Sequence, residues 1–258
     1  MNQIPSQGST LQNKIVIVTG AGSGIGRASC IALADAGATV VAAGRTTSSL
    51  DATAELVSQR GGAALAYRVD VTSSSDVAAM IDFVEAEYHG IDAYFSNAGI
   101  SPDGTTSSTT ETDWDTCLAT NLTSLFLAAK HAVPALERRG GGTILATVGT
   151  LGLRPTQNKA AYSAAKAGAI SLIKSIALDF GHLDIRANAV CPGLVRTPLT
   201  SHMTGEEIAE YQRQYQPLPG TIEAEDIAAM VAFLVGSSAR FITGQCFVVD
   251  GGQQAGLY

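Results

Sequence analysis

The sequence predicts an α/β fold: one doubly wound parallel sheet of seven strands with helices on both faces. Three observations carry this expectation. Short β-branched apolar runs alternate with longer helical stretches from end to end. The runs are continuously apolar rather than alternating, as strands covered by helices on both sides must be. A Gly-rich turn joins the first run to the first helix. Repeated β–α alternation of this kind folds as parallel strands linked by right-handed crossovers.

The elements follow in order. Lys14–Thr19 reads as a buried strand, followed by the Gly-rich turn and a helix to about Ala36. Ala38–Ala43 is the second strand, with a helix from about Ser48 to Arg60. Ala64–Val69 is the third, and Val77, Met80, Ile81 and Val84 give Asp76–Glu87 helical spacing. Ile91–Phe95, Thr143–Val148, Ile185–Val190 and Gln245–Val249 complete the strands. Two long helical segments, Glu111–Glu137 and Ala160–Phe180, lie between them. Residues 1–258 therefore read as a single domain, with residues 1–10 as a flexible arm. Residues 196–220 form a long excursion rich in Thr, Pro, Met and Tyr, expected to be a lid over a substrate.

Composition narrows the function. A chain of 258 residues suits one large domain, and 46% hydrophobic against 15% charged residues excludes disorder. The net charge of -7 leaves no basic stripe, so nucleic acid is not an expected partner. No run of 18 apolar residues occurs, and the first thirteen residues carry neither a basic nor an apolar leader region. Neither a membrane span nor a secretory signal is expected. Cys30, Cys117, Cys191 and Cys246 form no CxxC pair and read as buried free thiols of a reducing, cytoplasmic compartment. His89, His131, His182 and His202 have no ligand-spaced partners, so no metal site is expected.

The turn Thr19-Gly20-Ala21-Gly22-Ser23-Gly24-Ile25-Gly26 carries the first chemistry. Glycines let a backbone approach a pyrophosphate, and the helix N-terminus presents N–H groups and a positive dipole end. A plain strand-to-helix turn needs one glycine rather than four in seven positions. The dinucleotide spacing GxGxxG is not met, but strand, turn and helix are in Rossmann order. In that scheme a carboxylate at the end of the second strand holds the ribose of NAD. Here Gly44-Arg45-Thr46 stands instead, with an arginine where a 2′-phosphate would lie. The charge argues for NADP(H); a solvated Arg45, or one stacked on adenine with NAD(H) bound, is the alternative.

Tyr162-Ser-Ala-Ala-Lys166 puts a phenol and an ammonium one turn apart on one helix face. A phenol near pKa 10 is a poor acid–base at neutral pH, and a close cation favours its ionised form. Bringing it to neutrality takes roughly 4 kcal/mol of differential interaction, which requires a partly desolvated pocket. Taken alone, the pair is equally an exposed i,i+4 contact.

With these motifs in place, the chain from about Leu11 to Gly252 resembles the short-chain dehydrogenase/reductase family. Thr19–Gly26, with Gly20, Ser23, Gly24, Ile25 and Gly26, is similar to the family's cofactor turn. Asp70 and Val71 resemble its adenine-contacting pair, and Ser96-Asn97-Ala98-Gly99 its NNAG motif with Ser for the first Asn. Tyr162 and Lys166 match the catalytic YxxxK, and Asn121 matches the Asn that holds a proton-relay water. Pro192-Gly193, with Val195 and Thr197, resembles the segment that contacts the nicotinamide carboxamide. On their own, Asp70 reads as a helix cap and Asn121 as a helix-bend residue. One position departs: thirteen residues before the Tyr, where the family has its catalytic Ser, stands Gly149. Thr147 and Thr150 are the neighbouring hydroxyls that would substitute.

The resemblance implies hydride transfer between nicotinamide and a carbonyl or secondary alcohol. Tyr162 would exchange the proton, and Lys166 would lower the phenol pKa and hold the ribose. The expected protein is an NADP(H)-dependent ketone reductase or alcohol dehydrogenase acting on a small molecule. Gly149 motivates the alternative of a low-turnover NADP(H) sensor or scaffold. A homo-oligomer, dimer or tetramer, is implied as well, through the two long helices: Leu118, Leu122, Leu125, Phe126, Val133 and Leu136 on one, and the small residues Ala164, Ala165, Ala167 and Gly168 on the other.

Overall fold

The computed structural model describes residues 11–256; the expected arm, residues 1–10, lies outside the described residues. Seven parallel strands form one sheet: β1 (Ile15–Thr19), β2 (Thr39–Gly44), β3 (Ala63–Arg68), β4 (Ala93–Ser96), β5 (Gly142–Thr147), β6 (Ile185–Pro192) and β7 (Cys246–Val249). Their order is β3-β2-β1-β4-β5-β6-β7, so the chain winds outward in both directions from β1 and β4. Each strand agrees with its sequence-based bounds to within a few residues.

Helices cover both faces: α1 (Gly24–Asp35), α2 (Thr47–Gln59), α3 (Ser74–Tyr88), α4 (Glu111–Leu118), α5 (Ser124–Arg139), α6 (Ala160–Phe180), α7 (Gly205–Tyr215) and α8 (Ala224–Val235). Strand side chains point alternately to the two sides, which is why the strands must be apolar throughout. Ile15 and Ile17 of β1 enter the layer built with α3, α5 and α6. Val16 and Val18 enter the opposite layer, with α1, α2 and α8. Each large apolar side chain so buried contributes about 1.5–3 kcal/mol.

Two expectations are corrected. Glu111–Glu137 is not one helix: α4 and α5 are separated by a π-helical turn, Ala119–Thr123, centred on Asn121. A turn of that kind takes up one extra residue and re-aims side chains, a feature frequent at functional sites. The excursion 196–220, read only as a lid, contains the helix α7. Thr204 caps α7 and Glu207 returns the bond, a capping box legible as Thr204-Gly-Glu-Glu207. The apolar surplus expected on the first long segment is mostly spent in the core: Leu125, Val133 and Leu136 are buried, and Phe126 is 50% exposed. Likewise Ala165 is buried, and a Cβ at Gly168 would meet Leu122 of the same chain at 2.9 Å.

Cys30, Cys117 and Cys191 are buried free thiols, whereas Cys246 on the terminal strand β7 is only partly buried. Among the described residues no helix is long and apolar enough to cross a membrane.

Candidate active site

The strand order reverses between β1 and β4, which opens a crevice at the carboxyl ends of the strands. The glycine turn forms one wall. Gly20 (φ +65°) and Gly24 (φ +49°) adopt left-handed backbone, and a Cβ at Gly26 would fall 2.2 Å from the Gly20 carbonyl oxygen. The turn is braced from behind: Arg27 donates to the Gly22 carbonyl and to Thr53 Oγ1, and Thr53 donates to the Ala21 carbonyl at 2.9 Å.

Asn97-Ala98-Gly99 forms the facing wall, held by a network across three strand ends. Thr19 Oγ1 accepts the Asn97 and Ala98 N–H groups at 3.0 and 3.2 Å. Asn97 Nδ2 donates to the Thr19 carbonyl at 3.1 Å, and Thr147 Oγ1 donates to Asn97 Oδ1 at 2.8 Å. Gly20, Ser23, Gly24 and Ile25 thus face Asn97, Ala98 and Gly99 across one cleft, with Asn121, Tyr162, Lys166 and Thr197 at its far end. Thr197 closes over the turn, its side chain 3.2 Å from a Cβ placed at Gly24.

Beyond Gly20 and Gly99 the cleft continues into a hollow lined by Gly44, Arg45, Asp70, Val71 and Thr72. Asp70 accepts the Thr72 N–H at 2.9 Å and its hydroxyl at 2.7 Å. Those bonds, aided by the Arg45 and Arg68 charges, hold the carboxyl below the usual carboxylate range. Asp70 is not the helix cap, since Ser73 caps α3.

The titratable groups meet where the cleft turns inward. Lys166 is buried, and its Nζ donates to the Thr147 carbonyl at 2.8 Å. The same Nζ stands 5.5 Å from the centroid of the Tyr162 ring. The π turn swings Asn121 inward, where Nδ2 donates to the Ile100 and Cys117 carbonyls, both at 2.9 Å. Asn121 Oδ1 is buried with no partner, and a Cβ at Gly99 would lie 2.8 Å from it and 3.7 Å from Lys166 Nζ.

Burial pushes Tyr162 up to about 12 and Lys166 down to about 8. Desolvation penalises both charges, and the ammonium is bonded to the Thr147 carbonyl and lies over the Tyr162 ring.

A second cavity, of about 260 Å³, opens on the other side of Tyr162. Its wall includes Gly149, Thr150, Leu151, Pro192 and Gly193, and, from the 196–220 segment, Leu199, His202, Met203 and Tyr211. Gly149 has φ +85° and ψ 155°, and a Cβ there would point at Tyr162 Oη from 3.4 Å. The backbone position thirteen residues before the Tyr therefore does face the phenol. Of the neighbouring hydroxyls, Thr147 is committed to Asn97, whereas Thr150 lines this cavity and its hydroxyl has no partner among the described residues.

The crevice thus gathers the predicted residues with two exceptions. Gly26 lines no cavity and packs against the Gly20 carbonyl inside the turn. Val195 lines neither cavity; it is buried in the core and bridged to Ile222, because its chain segment runs parallel to residue 222. Pro192 and Gly193 border the inner cavity rather than the outer cleft, and Gly193 is needed where a Cβ would meet Asp250 at 2.9 Å. Sequence reasoning missed Ser101, Lys159, Leu199 and Gln253, which reach this wall from four separate segments. No spacing connects them, so no local signal could have found them.

The shape fits a dinucleotide. Glycines let the turn, the facing wall and Thr197 pack against one another with backbone lining the cleft, and a buried acceptor, Asn121 Oδ1, has no partner among the described residues.

Comparison with known proteins agrees. The family model described as Enoyl-(Acyl carrier protein) reductase matches residues 20–254. The chain is 35% identical over 249 residues to cis-4-hydroxycyclohexanecarboxylate dehydrogenase of Sinomonas cyclohexanicum, covering 96% of this chain and 99% of that one. Its fold is similar to a short-chain type dehydrogenase/reductase from Mycobacterium marinum, with TM-score 0.91, 31% identity and coverage of 96% and 98%. It is also similar to a 7α-hydroxysteroid dehydrogenase complexed with NADH and 7-oxo glycochenodeoxycholic acid, with TM-score 0.92, 31% identity and coverage of 97% and 98%.

Proposed function

The chain belongs to the short-chain dehydrogenase/reductase family, and from that premise we propose an NADP(H)-dependent oxidoreductase acting on a small ketone or secondary alcohol. The observation that carries the reading is the convergence of Tyr162, Lys166 and Asn121 at the junction of two cavities. One cavity is walled by glycines for a dinucleotide, and the other is compact and mostly apolar. When bound, the nicotinamide supplies the hydride acceptor or donor. Gly20, Ser23, Gly24 and Ile25 would hold its phosphates at the α1 N-terminus, and Asp70 with Val71 would border the adenine. Tyr162 gives its proton to the substrate oxygen in reduction and takes it back in oxidation. Lys166 is held by the Thr147 carbonyl where it can bind the nicotinamide-side ribose, and Asn121 Oδ1 is free to anchor a relay water.

The compact inner cavity suits an alicyclic or short-chain substrate, in keeping with the ring-alcohol relative. Turnover of such ketones with NADPH, in a panel run beside NADH, tests the reading. A chain that binds NADPH tightly and turns over none of them would instead be the sensor or scaffold that Gly149 suggests.

The NADP(H) preference rests on Arg45, which is exposed and borders the hollow with no carboxylate at the end of β2. Arg45→Asp should weaken NADPH binding by about tenfold, the worth of one charge-assisted contact, and favour NADH. Equal or tighter binding of NADH by the native protein, measured by fluorescence titration, would refute the preference.

We further propose a cytoplasmic homotetramer or dimer. Ala164 and Ala167 of α6 and Phe126 of α5 remain exposed, as do Leu178 at 84% and Phe241 at 89%, surface that a partner copy would cover.

A further inference from the structure

We infer that the substrate carries a carboxylate, received by Arg154 at the outer mouth of the inner cavity; the inference rests on the proposed dehydrogenase reading and names the substrate class. Past Leu151, Thr156, Tyr211 and Gln253 the inner cavity adjoins a second chamber of about 340 Å³. Arg154, Tyr215 and Gln254 line this outer chamber. The dividing wall is ordered: Gln253 Nε2 donates to Tyr211 Oη at 2.7 Å, and the Tyr211 and Tyr215 rings pack at 4.8 Å between centroids.

Two observations point to an anion. The first is the charge of the lining. The chain carries 23 acidic against 16 basic residues, yet among the described residues neither chamber is lined by an Asp or Glu. The basic side chains in the lining are Lys159, His202 and Arg154. Lys159 is already taken, by Asp103 at 2.8 Å and by Ser101.

The second is Arg154 itself. Eight of the other ten arginines have a side-chain partner. Arg60, Arg138, Arg139, Arg196 and Arg213 are paired with carboxylates. Arg27 and Arg186 donate to carbonyls and hydroxyls, Arg240 lies over Phe241, and Arg45 and Arg68 act on Asp70. Arg154 is exposed and makes no side-chain hydrogen bond or ion pair among the described residues, while its backbone N–H is fixed to the Thr150 carbonyl at 2.9 Å. A planar guanidinium left unpaired beside two tyrosine rings and two glutamines is a bidentate carboxylate receptor by its chemistry. Its place on the segment that also carries Thr150 ties anion capture to the wall of the reacting cavity.

The test separates binding from turnover. Protein saturated with NADPH is titrated by calorimetry with 4-hydroxycyclohexanecarboxylic acid and with its methyl ester, which has the same ring without the charge. The acid should bind about tenfold more tightly than the ester. Arg154→Ala should erase that difference without changing ester affinity, and Arg154→Lys should restore part of it. Equal affinities, failure of the acid to bind, or a preference that survives Arg154→Ala would each overturn the inference. Turnover of both compounds is measured in parallel. An acid that binds through Arg154 but is never oxidised would count against the dehydrogenase reading and leave the anion site standing.

Discussion

Tyr162→Phe should lower turnover by about 10²–10⁴-fold, the range supplied by one positioned general acid, while NADPH affinity stays within about threefold. The ring remains, so the packing beside Lys166 and the wall of both cavities are kept. Only the hydroxyl leaves, from a residue that lines both the glycine-walled cleft and the inner cavity. Burial pushes this phenol up to about 12, so at neutral pH it holds its proton and is ready to give it to a ketone. Reduction should therefore vary little between pH 6 and 8. Oxidation needs the phenol as a proton acceptor and should accelerate as pH rises over the same range. Steady-state rates in both directions, with binding followed by fluorescence, check this. A Phe variant that kept a tenth of native turnover would mean that some other group moves the proton.

The same residue marks the limit of what was legible in the sequence. The pair Tyr162 and Lys166 was readable from its spacing, because helix geometry alone puts i and i+4 on one face. Their electrostatic state was not. It depends on how far Lys166 is drawn toward the Thr147 carbonyl, nineteen residues away in sequence, and on burial that several elements jointly impose. The strands were legible because each is apolar on two faces. The break in the long helix was legible only as the bend reading of Asn121, not as a π turn over Ala119–Thr123. Only the tertiary requirement that Asn121 reach the Ile100 and Cys117 carbonyls makes it a π turn. Val195 fell on the other side of the same line. It follows a motif that borders the inner cavity, yet an apolar β-branched side chain gains more from the core beside Ile222 than from a wet cleft. The α7 helix, by contrast, announced itself through its capping box.

Thr150→Val should cost about 10–10³-fold in turnover, up to the penalty for removing one preorganised donor to a reacting oxygen. The position facing the phenol is Gly149, which has no side chain to offer. Thr150 is next in the chain, buried in the inner wall, with a hydroxyl that serves no other residue described. Valine keeps the shape and removes the donor. Thr147→Val should act differently, because that hydroxyl holds Asn97 at 2.8 Å. Its loss should loosen the Asn97–Gly99 wall and raise the KM for NADPH more than it lowers kcat. Restoring the family's side chain should not help. Gly149 sits at φ +85° and ψ 155°, a region open essentially to glycine, where a side chain costs about 1–3 kcal/mol of strain. Gly149→Ser should therefore lose stability in urea unfolding and gain no turnover, although an added Cβ has room at 3.4 Å from Tyr162 Oη. The three variants on one ketone separate the roles. Native turnover in Thr150→Val, or a rise of tenfold or more in Gly149→Ser, would show that the substrate oxygen receives no hydrogen bond from Thr150.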